Sequence, residues 1–312
     1  MKKIPLIVIV GPTAVGKTAL SIELAKRFNA EIISGDSMQV YRYMDIGTAK
    51  IKPNETEDIP HHLIDILDPD EGFNARIFKE KALIEIDQIM NRQHLPMIVG
   101  GTGLYINGLL YDYQFDGKTN SDYREKIYYK IKEEGSDQYY EELLKHRPDL
   151  STVIHKNDAF RISRALEIIH TTGKDSIANF DMKKNYQSPF QLCLIGLTMN
   201  RQKLYERIDF RVDKMIEEGL LEELESLMEK GYNNEMQSLQ AIGYKELLAY
   251  LNHQYSYEEA VELLKKNTRH FAKRQLTWFK RDPNLKWFSV DELSGEALLS
   301  ETKEYINQCL NL

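Results

Sequence analysis

The chain has 312 residues, enough for one or two domains with a sizeable core. It is 42% hydrophobic and 29% charged, a globular composition, and no apolar run is long enough to cross a bilayer, which excludes a membrane-spanning protein. The net charge of −7 excludes a general attraction to nucleic acid, so any such partner needs a local basic patch.

Met1-Lys2-Lys3 before an apolar run resembles a signal peptide, but the run is short and leads straight into a glycine-rich loop. Pro5 to Val10 reads as a buried strand and Ala19 to Phe28 as a helix. Between them lies GPTAVGKT, Gly11 to Thr18, which fits the phosphate-cradling pattern G-x-x-x-x-G-K-[ST]. Gly11, Pro12, Thr13, Ala14, Val15, Gly16, Lys17 and Thr18 therefore form the expected anion site. The loop's N–H groups and the helix dipole attract phosphate, Lys17 reaches the outer phosphates and the Thr18 hydroxyl meets Mg²⁺. The bland alternative is a helix start without a ligand. Glu31 to Ser34 is a second strand, ending at Gly35-Asp36-Ser37. Ala75 to Asn91 has helical spacing, and Pro96 to Val99 is a strand ending at Gly100-Gly101-Thr102-Gly103. This rhythm predicts an α/β fold with a P-loop NTPase-like parallel sheet core. Residues 116–190 are rich in tyrosine and charge and read as a helical insertion domain. The chain returns to the sheet at Gln191 to Leu197, so 1–115 and 191–312 form the core. From Arg201 onward everything reads as helix, including one capped by Ser256 and Glu259 that runs to about Phe279.

In open parallel sheets, ligands sit at the carboxyl ends of strands, which places the phosphate loop, Asp36 and Thr102 at one cleft. Asp36 is read as a general base or a Mg²⁺ partner, or else as a helix cap. The strand before Gly100 lacks the terminal acid of nucleoside triphosphatases, which favours group transfer over a motor or switch. Between Lys265 and Lys286 there are eight Lys or Arg and one Asp. Lys266, Arg269 and Lys273 share a helix side, giving either a phosphate-backbone footprint or a solvated face. Arg161 and Arg164 share a helical turn, as lid or RNA contacts or as surface ion pairs. Arg211 either faces a leaving phosphate or pairs with Asp209 or Asp213. His61 and His62 read as structural or substrate-contacting rather than metal-binding. Cys193 and Cys309 have no metal or redox spacing, which makes the cytoplasm the expected location. Nothing demands more than a monomer.

Together GPTAVGKT (11–18), SGDSMQVYR (34–42), IGTAK (46–50), PHHLID (60–65), GGTGLY (100–105), RISRALE (161–167), QAIGYKE (240–246) and AKRQLTWFKR (272–281) resemble the bacterial tRNA dimethylallyltransferases. The resemblance implies transfer of a dimethylallyl group from its diphosphate to the exocyclic amine of the adenine just 3′ of the tRNA anticodon. In that reading the loop and Lys17 hold the diphosphate with Mg²⁺ at Thr18, Arg211 lies against it, and Asp36 takes the amine's proton. The implied tRNA contacts are Asp36, Ser37, Met38, Gln39, Thr102, Arg161, Arg164, Lys273, Arg274, Gln275 and Arg281, with the insertion gripping the anticodon stem-loop. The alternatives are a small-molecule or nucleoside kinase, prenyl transfer to free adenine nucleotides, and a non-catalytic RNA-binding protein.

Overall fold

A computed structural model describes residues 3–115, 121–172, 186–293 and 295–311. The chain forms two compact units, Met1–Asp112 with Tyr186–Leu312, and Tyr113–Asn185.

The first unit opens with β1 (Pro5–Val10), α1 (Lys17–Phe28), β2 (Ala30–Gly35), β3 (His61–His62), α2 (Ala75–Asn91), β4 (Leu95–Gly100) and α3 (Gly103–Leu110). β1 is buried from Leu6 to Val10, as a central strand covered on both faces must be. α1 starts at Lys17, two residues before the expected Ala19, directly from the phosphate loop. It ends at Asn29, which adopts a left-handed conformation (φ 48°) and donates its N–H to Ala25 O. α2 is opened by Asn74, whose side chain accepts the N–H groups of Arg76 and Ile77.

The second unit contains α4 (Ser121–Glu134), α5 (Asp137–His146) and α6 (Ala159–Thr172). It has its own apolar core, with Leu143, Leu150, Ile162 and Ala165 fully buried.

The first unit resumes with β5 (Gln191–Thr198), α7 (Arg201–Glu217), α8 (Leu220–Glu229), α9 (Tyr244–Leu251), α10 (Tyr257–Phe279), β6 (Lys286–Ser289) and α11 (Gly295–Leu310). The six strands are all parallel in the order β3-β2-β4-β1-β5-β6. Ile7 is in register with Met97 on one side and Cys193 on the other. One core joins Leu20 and Leu24 of α1 to Leu204 and Ile208 of α7 and Ile306 of α11. Elsewhere Phe78 of α2 stacks on Tyr105 of α3 at 5.3 Å.

β6 corrects the expectation that everything after Arg201 is helical. It has only four residues and runs along one sheet edge, pairing Ile195 with Lys286. It fits because Gly196 has no side chain; a Cβ there would lie 2.8 Å from the Trp287 ring. No helix among the described residues is long and apolar enough to cross a membrane.

Candidate active site

The phosphate loop links the end of β1 to the start of α1. Gly16 has φ 104°, a conformation that suits glycine, and the next residue begins the helix. Gly11 allows β5 to approach, since a Cβ would lie 2.7 Å from Leu197 O. A cavity of about 820 Å³ opens over the loop, lined among others by Lys17, Thr18, Asp36, Gly101, Arg211 and Gln275.

Lys17 folds back on its own loop, donating to Gly11 O at 3.0 Å and Pro12 O at 2.8 Å. Burial lowers its pKa to about 8; the Arg211 charge pushes the same way and Asp36 opposes both. Burial likewise lowers Arg211, with Asp36 again pulling back. Both cations are half-buried and both feel the Asp36 carboxylate, and a bound anion would relieve their mutual repulsion. Asp209 and Asp213 do not neutralise Arg211. Asp209 pairs with Arg269 of α10, and Asp213 with Lys265 at 2.7 Å. Arg269 is therefore spent on holding α7 to α10 and does not join Lys266 and Lys273 as a free basic face.

Asp36 follows β2 and caps no helix; its Oδ1 accepts the Met38 N–H at 2.8 Å in a tight turn. Thr102 stands beside it at the end of β4, its Oγ1 accepting the Ser37 N–H at 3.1 Å. The glycines between allow this closeness: a Cβ on Gly100 would lie 2.3 Å from Gly35 O. Among the described residues, no group of three or more His, Cys, Asp or Glu could hold a metal. The Thr18 hydroxyl and the Asp36 carboxylate line the same cavity, which suits Mg²⁺, an ion that takes few protein ligands and draws the rest from substrate phosphates and water.

The sequence profile described as IPP transferase matches residues 39–282. A tRNA dimethylallyltransferase of Carboxydothermus hydrogenoformans is 48% identical over 302 residues, covering 96% of both chains. One from Bacillus subtilis is 50% identical over 289 residues, covering 92% of this chain and 91% of the relative. The chain belongs to the IPP transferase family. Its fold agrees with that of the tRNA isopentenylpyrophosphate transferase of Bacillus halodurans, with TM-score 0.76, 45% identity and coverage of 99% and 97%. A eukaryotic dimethylallyltransferase acting on tRNA superposes with TM-score 0.77 at 32% identity, covering 92% of this chain and 74% of its own. The kinase reading finds no support among these relatives.

The remaining expected contacts of this transferase fall into distinct settings. Lys273 and Arg274 are exposed on α10, and Arg281 is exposed just beyond it. Gln275 between them is not: it is 5% exposed, and both ends of its amide are committed. Its Oε1 accepts the Thr13 N–H at 2.9 Å and its Nε2 donates to Gly101 O at 3.1 Å. Gln275 therefore ties the phosphate loop to the Gly100–Gly103 loop rather than presenting its amide outward. In the second unit, Arg164 pairs at 2.6 Å with the buried Glu167, whereas Arg161 is exposed near Asp158. Gln39 lines the cavity, whereas Ser37 and Met38 are half-buried in the turn after Asp36. His61 also lines the cavity, with its Nδ1 2.8 Å from Ile59 O, and His62 sits on Glu31.

The sequence assigns no role to Lys50, the last residue of IGTAK. Its side chain is only 5% exposed and donates to Tyr41 O at 2.7 Å, to Asp45 at 2.6 Å and to Asp65. The motifs IGTAK and PHHLID meet at this lysine, a contact that their separation in sequence conceals.

Proposed function

We propose that the chain transfers the dimethylallyl group of dimethylallyl diphosphate to the exocyclic amine of the adenine 3′-adjacent to the anticodon of tRNA, releasing diphosphate. The observation that carries this is that two half-buried cations, Lys17 and Arg211, line one cavity with the Asp36 carboxylate, which pulls on both. The cations and the loop N–H groups receive the diphosphate, and Asp36 receives a proton. As the allylic carbon–oxygen bond breaks, its electron pair leaves with the diphosphate, where Lys17 and Arg211 offset the growing charge. The adenine amine attacks the allylic carbon and gives its proton to Asp36. The Thr18 hydroxyl would help to hold Mg²⁺, which would supply further charge neutralisation.

The target adenine must leave its stack to reach such a cavity, and unpaired loop bases are the usual objects of sequence-specific RNA recognition. Exposed Lys273, Arg274 and Arg281 supply phosphate contacts, as does Arg161 of the second unit, which grips the anticodon stem-loop in this reading. Arg164, tied to Glu167, contributes by shaping that surface. Ser37, Met38, Gln39 and Thr102 surround the base. The reaction takes place where tRNA is found, in the cytoplasm, and needs one copy of the chain.

The test is transfer of label from radiolabelled dimethylallyl diphosphate with Mg²⁺, using unmodified tRNA and adenosine monophosphate as separate acceptors. Label in tRNA alone supports the reading; label in the free nucleotide would make this a nucleotide prenyltransferase. Asp36→Asn should lower kcat about a thousandfold, within the range of a general base, while tRNA affinity holds to within a few-fold. Near-normal turnover would remove Asp36 from the proton-accepting role.

A further inference from the structure

Residues 36–52 contain no helix or strand, yet they wall much of the cavity: Asp45, Ile46, Thr48, Ala49 and Lys50 all line it. Such a segment keeps its shape only if its backbone polar groups find partners elsewhere. One side chain supplies three of them. The carboxylate of Glu223, on α8, accepts the consecutive N–H groups of Asp45 and Ile46 at 2.7 Å each and of Gly47 at 3.1 Å. A fourth donor, the Tyr244 hydroxyl at the start of α9, reaches the same carboxylate at 2.7 Å. Tyr244 is fully buried and its ring lies against Gly47, where a Cβ would stand 2.5 Å from it. An ionised carboxylate accepts about four hydrogen bonds and donates none, so these four donors fill it.

From this anchor the bonds run on towards the reacting groups. Gln39 donates to Thr48 O at 3.3 Å and Ala49 O at 3.4 Å, and accepts from the Ser34 hydroxyl at 2.9 Å. Gln39 lies three residues beyond Asp36, in the same turn-rich stretch. Neither Glu223 nor Tyr244 lines the cavity.

We propose that Glu223 is a positioning residue for prenyl transfer: through the main chain of 45–47 it fixes the loop that carries Asp36 and Gln39, without touching substrate. The inference rests on the transfer reaction proposed above. The diphosphate is held by a different element, the phosphate loop, so acceptor alignment and diphosphate binding separate in kinetics.

Steady-state transfer and thermal melting are measured for the wild type, Glu223→Gln, Gly47→Ala and Tyr244→Phe. Glutamine keeps the size of Glu223 but turns an amide NH₂ towards groups that need acceptors. For Glu223→Gln, kcat should fall about 10- to 100-fold, the cost of misaligned reacting groups, with KM for dimethylallyl diphosphate within about twofold. Gly47→Ala should give the same split with Glu223 intact, because its Cβ drives the loop off Tyr244. Tyr244→Phe removes one of the four bonds and keeps the ring, so a drop of about threefold is expected; it serves if the other variants do not fold. Lower melting temperatures with normal kcat, or a KM for the diphosphate rising in step with the loss of kcat, would overturn the assignment. A wild type without transfer would sink the functional reading itself, whereas an active wild type with indifferent variants would sink this assignment alone.

Discussion

Lys17 holds its charge against burial and a neighbouring guanidinium, and its pKa of about 8 lies well below the ordinary 10.5. A bound diphosphate stabilises the protonated form and so raises that pKa. By linkage, binding takes up a proton above pH 8, and affinity is highest below the free-protein value. Affinity for inorganic pyrophosphate should therefore be flat in Lys17 protonation below about pH 8 and then fall by up to about tenfold per unit as pH rises. Titration calorimetry from pH 6.5 to 9.5 reads this directly. Lys17→Met should bind more weakly throughout and lose this inflection, leaving only the titration of pyrophosphate itself. An inflection that survives in Lys17→Met would assign it to another group. Arg211 stays charged across the whole range, which keeps the site cationic when Lys17 does not.

At the level of elements, α10 and β2 each place one side chain on which several segments depend. Gln275 of α10 bridges Thr13 and Gly101, so Gln275→Leu leaves a loop N–H and a carbonyl without partners. KM for dimethylallyl diphosphate should rise about tenfold, the equivalent of one such lost interaction near the anion site. Gly101→Ala should do the same with Gln275 present, because a Cβ would lie 2.0 Å from its Nε2. A KM unchanged in both variants would show that the bridge has no bearing on diphosphate. At the start of β2, Glu31 is 2% exposed, with Arg92 at 2.7 Å and His62 and His94 at 2.6 Å. The Arg92 hydrogen bonds above all, with help from the histidines and against burial, hold its carboxyl down at about 2. A depressed carboxylate stabilises the fold above its unfolded value near 4.5, and that stability is lost as pH falls towards 2. Glu31→Gln should cost about 2 kcal/mol at neutral pH and flatten the slope of melting temperature against pH in that window. A wild-type slope in the variant would place the acid sensitivity elsewhere. These elements also show what the sequence displays and what it conceals. β1, β4 and β5 are legible because strands covered on both faces are largely apolar, β2 from Ile32-Ile33 just before Gly35, and α2 because its spacing is regular. β6 has too few residues for any period to register. Gln275 looks like one more polar residue in a basic helix, and only the fold shows that α10 passes between two loops. Glu31, Lys50 and Glu223 bond to partners far away in sequence, which no local pattern encodes.

For the whole molecule, the question is which functions the sheet unit can perform by itself. The chain leaves this unit at Asp112 and returns at Tyr186, and the flanking rings of Tyr111 and Tyr186 stand 5.2 Å apart. Both are pinned to the turn after α10. Tyr111 donates to Asp282 at 2.5 Å, Tyr186 donates to Arg281 O at 2.7 Å, and Asn284 donates to Tyr186 O at 3.1 Å. The two ends are thus close and held independently of what lies between them, and the segment 113–185 has an apolar core of its own. Segments with adjacent, anchored ends are the ones that folds tolerate losing or gaining. Replacing 113–185 with a short Gly-Ser linker should leave a folded chain that binds inorganic pyrophosphate within about threefold of the wild type, because Lys17, Arg211 and the phosphate loop are all retained. Transfer to tRNA should fall more than about a hundredfold, chiefly through KM for tRNA, since the deleted segment carries Arg161 and the surface around Arg164. Calorimetry with pyrophosphate and transfer kinetics on the same preparation separate the two effects. Loss of pyrophosphate binding in a cooperatively melting variant would mean that the segment shapes the anion site. Full tRNA transfer would mean that Lys273, Arg274 and Arg281 on the sheet unit are sufficient to hold the anticodon arm.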